Sequence, residues 1–253
     1  MLAVSFQFSV SAYATPDVTK LLKSRSMTEE EYLKQVPKIC YDLYGPMAEP
    51  AAKLLWGNSG PIFAMDAMTR AYGEIWALKG PLSVNERALA TVSALVAQEL
   101  YPQIKLHING FISSGGALEQ LYALTKISAG EAGAKDLSQL ADAIVAGLQW
   151  RERSIPGFKA PSKKEVTRML NKKPTALNSQ MTLLTKLSAQ IAVGNMEKVR
   201  NYMDDLVKGL PLEVNKDSYI DLLITHLIVY CGYPRGMNAF NVWEQLRPAY
   251  GMK

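Results

Sequence analysis

Ser83-Val84-Asn85-Glu86-Arg87-Ala88-Leu89-Ala90-Thr91-Val92-Ser93-Ala94-Leu95-Val96 reads as the start and body of an amphipathic helix. Ser83 and Glu86 stand three positions apart, the spacing at which a hydroxyl and a carboxylate satisfy each other's free backbone N–H groups at a helix start. Leu89, Val92, Leu95 and Val96 then recur at helical intervals and give the segment one buried stripe.

Helical spacing continues in both directions from this stretch, and strand signals are scarce. Upstream, Thr28 with Glu31 forms a second capping box, followed by Leu33, Val36, Cys40, Leu43 and Tyr44. Pro46 and Pro50 flank the start of a short helix ending near Trp56-Gly57, and another covers Ile62 to Ala77. Downstream, a helix from about Pro102 stops at Gly115-Gly116, where glycine accepts the left-handed C-terminal conformation cheaply. Ala117 to Leu148 is helical by composition and broken around Gly130 and Gly133. The fold class expected is all-α.

The plan then recurs. Helices are expected from about Leu177 to Val193, from Asn195 to Lys208 with a stop at Gly209, from Asp217 to Tyr230, and from about Arg235 to Leu246. Gly115 registers with Gly209 at an offset of 94 and Gly130 with Gly232 at an offset of 102, so the second half carries eight extra residues, Leu210 to Asp217, in one turn. The same order of helix, glycine stop, helix and glycine break describes a duplicated helical unit. The expected organisation is a tail at 1–27, a first repeat at 28–149, a basic linker at 150–174 and a second repeat at 175–253.

Composition narrows the classes. With 253 residues, 48% of them apolar, the chain can bury a substantial core. No stretch approaches the ~18 uninterrupted apolar residues that crossing a bilayer requires, so no membrane insertion is expected. The net charge of +5 is local: Trp150 to Pro174 holds eight basic and two acidic residues, and the remainder has 20 basic and 21 acidic. That segment has Phe158 as its only aromatic after Trp150 and lacks the interleaved stacking residues of single-strand binders, so it reads as a solvated linker and not as a nucleic-acid surface. Cys40 and Cys231 lie 191 positions apart, forming neither a CxxC nor a metal cluster. Leu2 to Val10 followed by Ala12-Tyr13-Ala14 has the small residues of a signal-peptidase site but no basic n-region. The chain is periplasmic or secreted if residues 1–14 are an export signal, and cytoplasmic if they are an uncleaved tail.

Tyr72-Gly73-Glu74-Ile75-Trp76, followed by Pro81-Leu82-Ser83-Val84-Asn85-Glu86-Arg87, resembles the carboxymuconolactone decarboxylase family, which typically reads W-G-x-x-W, a short turn, then L-S-x-x-x-R opening a helix. The likeness continues at Leu106-His107 and Gly115, and in the second half at Tyr230-Cys231-Gly232-Tyr233-Pro234 and Asn238-Ala239. It implies two tandem helical repeats, alkyl hydroperoxidase D-like, in a ring-like homo-oligomer; for two repeats per chain this is a trimer with pseudo-sixfold symmetry. The disulfide chemistry of alkyl hydroperoxidase D needs two cysteines where this chain has Leu100 and Gln103, or Gly194 and Glu197 in the second half. Without a thiolate that route is closed.

The resemblance places the candidate site at His107, whose imidazole suits proton delivery to a carbanion or enolate. Arg87 is the expected two-point anchor for a substrate carboxylate. Tyr230 and Trp76 are expected to wall the pocket, Tyr230 also donating a hydrogen bond. Competing structural readings stand beside these: His107 hydrogen-bonding a neighbouring helix, Arg87 pairing with a carboxylate at an interface, Trp76 in the core. His226, on an apolar helix with Leu222, Leu223 and Leu227, reads as a core or interface histidine. Where the family commonly has a glutamate one turn before the histidine, this chain has Gln103, which cannot transfer protons as a carboxylate can. Glu197 occupies the matching place in the second half.

Two functions follow as expectations. One is a decarboxylase-like lyase, free of metal and organic cofactor, acting on a small anionic lactone or unsaturated acid through His107. The alternative is a non-catalytic oligomeric binding or scaffold protein of the same fold.

Overall fold

The computed structural model describes residues 29–58, 60–134 and 136–252, and its regular structure is entirely helical. The first layer contains α1 (Glu29–Tyr44), a 3₁₀ turn (Gly45–Met47), α2 (Ala48–Asn58) and α3 (Pro61–Asp66), which runs on as a π-helical segment (Ala67–Trp76). There follow α4 (Val84–Ala97), α5 (Tyr101–Ser113), α6 (Leu118–Glu131), α7 (Ser138–Ser154) and α8 (Lys163–Asn171). The second half contributes α9 (Ser179–Val193), α10 (Met196–Gly209), α11 (Lys216–Cys231), α12 (Tyr233–Leu246) and a closing 3₁₀ turn (Arg247–Tyr250). The Ser83/Glu86 box forms as expected, with Ser83 accepting from the Glu86 N–H. Thr28, the partner in the other expected box, lies outside the described residues.

Helix α4 is the axis of the molecule. Every residue from Arg87 to Ala97 is buried, although the sequence pattern marks only one stripe of it. The reason is that its other faces carry Ala88, Ala90, Thr91, Ser93 and Ala94, small enough for helices to close in on all sides. Its most extensive partner is α9, from the other half of the chain, and α5, α6 and α11 complete its surround. One core therefore runs from Val36 to Trp243 without a break between halves. Some of the polar side chains that enter this core are served locally: Ser93 donates to the Leu89 carbonyl and Thr125 to the Leu121 carbonyl, whereas the buried Ser188 hydroxyl has no hydrogen-bond partner. A buried hydroxyl left unbonded would cost about 1–3 kcal/mol.

Close approach of α5 and α7 depends on Gly147, because a Cβ there would stand 2.7 Å from the Lys105 carbonyl oxygen and 2.4 Å from Ile108. The 150–174 stretch, expected as a solvated linker, is more structured than that. Trp150 to Ser154 completes α7, and α8 docks on α6 and α7 through buried Val166 and Leu170. A third capping box, Ser162 with Glu165, starts α8. Its positive charge does face solvent: Lys163, Lys164, Arg168, Lys172 and Lys173 are all exposed.

The expected glycine registration does not hold in conformation. Gly115 has φ +107° and Gly232 φ +80°, whereas their expected counterparts, Gly209 and Gly130, are helical. Left-handed residues that do recur in order are Glu99 (φ +57°) and Gly194 (φ +84°), each just past the central helix of its half. Among the described residues no helix is long and apolar enough to cross a membrane.

Candidate functional site

A cavity of about 450 Å³ opens between α1, α2, the π segment, α5 and the end of α11. The π segment supplies Ala67, Met68, Ala71 and Tyr72 to its wall; α5 supplies Gln103, Leu106 and His107; Tyr230 closes it from α11. An i→i+5 turn is wider than an α-turn, is rare, and is frequently found at functional sites. Here it brings residues four and five apart, Ala67, Ala71 and Tyr72, onto one surface. A second hollow of about 490 Å³ adjoins the first and shares Cys40, Ala52 and Met68 with it.

His107 is the polar centre of the cavity. It is 8% exposed, and its Nδ1 lies 3.3 Å from the Tyr44 hydroxyl, which is itself 3.1 Å from the Tyr72 hydroxyl. Its Nε2 has no bonding partner among the described residues, on a side chain that lines the cavity. Burial pulls the imidazole pKa down to about 4, so the ring is neutral at physiological pH. Gln103 sits one turn earlier on the same face, exposed at the mouth.

Burial sets the protonation of the remaining wall as well. It pushes the Cys40 thiol up to about 11 and the Tyr230 phenol to about 12, and raises Tyr44 and Tyr72 above the usual phenol range. Among the described residues no Asp, Glu, Lys or Arg lines the cavity. It is a neutral hollow with hydroxyl, imidazole and amide groups at separate points on an apolar surface.

Arg87, expected as the carboxylate anchor, is placed elsewhere. It is 2% exposed and absent from the cavity wall. Its Nη1 donates to the carbonyls of Trp76 (3.1 Å) and Leu78 (3.0 Å), and its Nη2 to that of Ile75. These are carbonyls at and just beyond the end of the π segment, at the negative end of the helix dipole; that of Ile75 also accepts from the Leu78 N–H. The guanidinium also lies 4.8 Å from the Trp76 ring centroid, and no carboxylate pairs with it among the described residues. Burial lowers its pKa to about 10, leaving it charged at neutral pH. Its Nη1 and Nη2 hold the π segment to α4, while the buried Nε has no hydrogen-bond partner; a substrate carboxylate would have to compete with three carbonyls for the two Nη groups.

The other expected residues divide. Tyr230 lines the cavity, and its hydroxyl accepts a 2.8 Å hydrogen bond from Trp76 Nε1. Trp76 is a buried support behind the wall, 5% exposed. Glu197 is exposed in the first turn of α10 and does not line the cavity, so it cannot stand in for the carboxylate missing at Gln103. His226, read as a core histidine, is fully buried. Its Nε2 is 2.8 Å from Thr91 Oγ1, its Nδ1 3.4 Å from Arg87 Nη2, and its ring meets Trp76 edge-on at 4.5 Å.

Sequence reasoning missed Tyr44 and Tyr72 as site residues and Thr91 behind them. Tyr72 stands inside the motif quoted for the resemblance, and Tyr44 on the buried stripe of α1, but nothing in their spacing indicates that the two hydroxyls meet across 28 residues. Among the described residues no group of three His, Cys, Asp or Glu side chains is arranged to hold a metal ion. Comparison with protein-family models and with curated proteins finds no match for this chain.

Proposed function

We propose that this protein binds a small, uncharged, predominantly apolar molecule in the cavity beneath the π segment, with His107 Nε2 as a polar contact. The observation that carries the reading is the neutrality of the wall: a hollow of drug-like size, apolar over most of its surface, with each ionisable lining group held uncharged by burial. A free carboxylate entering it would lose its hydration without meeting a cation, at a cost of several kcal/mol. A neutral ligand pays no such penalty, and apolar contact stabilises it by about 25 cal/mol per Å² buried.

A second reading, proton transfer on a bound neutral substrate, is favoured by one arrangement. Hydrogen bonds through Tyr72, Tyr44 and His107 Nδ1 can all point toward the ring or all point away. In the first state Nε2 bears the proton and donates to the cavity; in the second it is a lone-pair acceptor. In one switch Nε2 delivers its proton to one atom of a substrate while Tyr72, also on the cavity wall, takes a proton from another, so the chain and the substrate both stay neutral, which is what a cofactor-free isomerase requires. This reading keeps the chemistry implied by the resemblance to the carboxymuconolactone decarboxylase family and replaces its anionic substrate with a neutral one. We retain from the same resemblance, also as a proposal, two tandem repeats and a trimeric assembly, for which sedimentation equilibrium is the direct measurement.

The test is a calorimetric screen of neutral apolar compounds of about 8–20 heavy atoms, a size set by the volume that ligand pockets enclose, against the wild type and Ala71→Trp. Compounds that bind the wild type and lose at least tenfold in affinity to the cavity-filling variant support the site. Binding that is indifferent to Ala71→Trp overturns it. Binders with a C–H next to a carbonyl are then followed by NMR in D₂O: exchange that is lost in His107→Phe supports the proton-transfer reading, and exchange no faster than in buffer removes it.

A further inference from the structure

The two adjoining hollows are separated by very little. Cys40, Ala52 and Met68 face both of them, so the partition is one side chain thick. Cys40 is 6% and Met68 5% exposed, which puts the partition inside the protein and not at either mouth. Two of its members are small, and the third is unbranched, with three rotatable bonds that let it fold aside while its backbone stays in place. Helix α2 explains why there is room on both sides. Its Ala48, Ala51 and Ala52 stand at i, i+3 and i+4 and so share one face, and a methyl group is too short to fill the space before it. Ala51 lines the first hollow, Ala48 the second and Ala52 both.

Polar side chains are divided unequally between the two spaces. The His107 imidazole, the hydroxyls of Tyr44, Tyr72 and Tyr230 and the Gln103 amide belong to the first. The second is walled chiefly by Val36, Pro37, Pro46 and Ala48 beside the shared residues. Its side chains that bear oxygen, among the described residues, are Tyr41 and Glu49, and both are exposed; the Glu49 carboxylate is engaged at 2.6 Å by Lys53. A hydrogen-bonding group therefore finds partners in the first hollow, and the interior of the second offers apolar contact.

We propose that the two hollows form one bipartite site for an elongated neutral molecule, with a single hydrogen-bonding head at His107 and an unbranched apolar tail that passes Met68 into the second hollow. The inference rests on the first hollow being a small-molecule site, as proposed above, and adds the shape of the ligand and its direction.

Linear 2-alkanones of about 6–15 carbons, a range that brackets the capacity of ligand pockets, are the probes. Their head is constant and the tail grows by one methylene at a time. Each is titrated calorimetrically, the long members by displacement of a short one, into wild type, Ala48→Trp, Tyr41→Ala and His107→Phe. Ala48 and Tyr41 line the second hollow and not the first. Wild-type affinity rises about fourfold per methylene, the worth of one buried CH₂, and keeps rising into the long members. In Ala48→Trp the short members bind as in wild type and the rise stops partway, so that the longest bind at least tenfold more weakly. Tyr41→Ala, a change at an exposed position, weakens the longest members about threefold through lost apolar contact and spares the short ones. His107→Phe weakens every member by one common factor of about fivefold, as loss of a hydrogen bond at the head does.

If wild type and Ala48→Trp give the same affinity at every chain length, the second hollow takes no tail and the proposal falls. A His107→Phe factor that grows with chain length would put the tail at the imidazole and overturn it as well. In both cases the reading of the first hollow survives, because short ketones still bind and still lose affinity in Ala71→Trp; failure of every member to bind wild type overturns both. Far-ultraviolet dichroism checks the fold of Ala48→Trp. Should that variant unfold, Tyr41→Ala decides, and long-chain affinities equal to those of wild type overturn the proposal.

Discussion

The two histidines of this chain sit within one aromatic cluster, each beside Tyr230, at ring-centroid distances of 5.2 Å for His107 and 5.4 Å for His226. Both are neutral because burial opposes their protonation. They differ in how many ring nitrogens the protein has used. His226 has both engaged, one by Thr91 and one facing Arg87, and its ring is enclosed by Trp76. His107 has one engaged, by Tyr44, and the other opens on the cavity. A fully satisfied imidazole is a structural part; a half-satisfied one at a cavity wall is able to bind something. The lesson is that function here depends on the unspent hydrogen-bonding capacity of a residue and not on its type.

Arg87 tests this comparison most severely, because both its terminal nitrogens are bonded within the protein and only Nε lacks a partner. Arg87→Ala removes the donors from three carbonyls and leaves a void against Trp76, and should lower the unfolding free energy by about 3–5 kcal/mol. Urea denaturation measures it. A loss under about 1 kcal/mol would show that the guanidinium is not committed to the π segment, and the carboxylate-anchor role would be open again.

Acid comes next. Each imidazole has a folded pKa below its unfolded value of about 6.5, so the unfolded chain binds protons that the folded chain does not, and stability falls as pH falls. For His107 the loss starts below about pH 6.5, is complete near its folded pKa of about 4, and amounts to about 3 kcal/mol; His226 continues the trend to lower pH. Thermal melts from pH 7 to 4 should show it, with a shallower slope in His107→Phe. A bound ligand that donates to the Nε2 lone pair would oppose protonation further and steepen the slope, sharpening the contrast between the open ring and the closed one.

The smallest effect expected is that of Tyr44→Phe. It deletes one neutral hydroxyl shared by Tyr72 and His107, and should cost about 0.5–1.5 kcal/mol. Its diagnostic consequence is spectroscopic: the ¹⁵N shifts of His107 should move as its tautomer loses the partner that sets it, while those of His226 stay in place. Equal movement of both rings would mean that the two environments are coupled and that the comparison fails.

Most of the helices were legible in the chain. Capping at Ser83/Glu86, the glycine stop at Gly115, the break at Gly133 and the order of segments after Leu177 are local signals, set by backbone groups within one turn of each other. Helix α8 was not, because the charge of Lys163, Lys164 and Arg168 masked the two apolar residues, Val166 and Leu170, that dock it. The glycine registration failed because position along the chain does not reveal φ: Gly209 and Gly130 are simply helical.

At the site, the sequence by itself determined that His107 and Gln103 share one face of a helix, since a spacing of four fixes that wherever the helix packs. It also determined the helical class and that the two cysteines, Cys40 and Cys231, form no CxxC. Only the tertiary structure decided that Arg87 turns inward to the carbonyls ending the π segment, that Glu197 remains at the surface, and that Tyr44, Tyr72 and Tyr230 converge around His107 from three elements. The physical reason is that a side chain's role depends on which of its donors and acceptors stay free after packing, and packing joins residues as far apart as Trp76 and Tyr230.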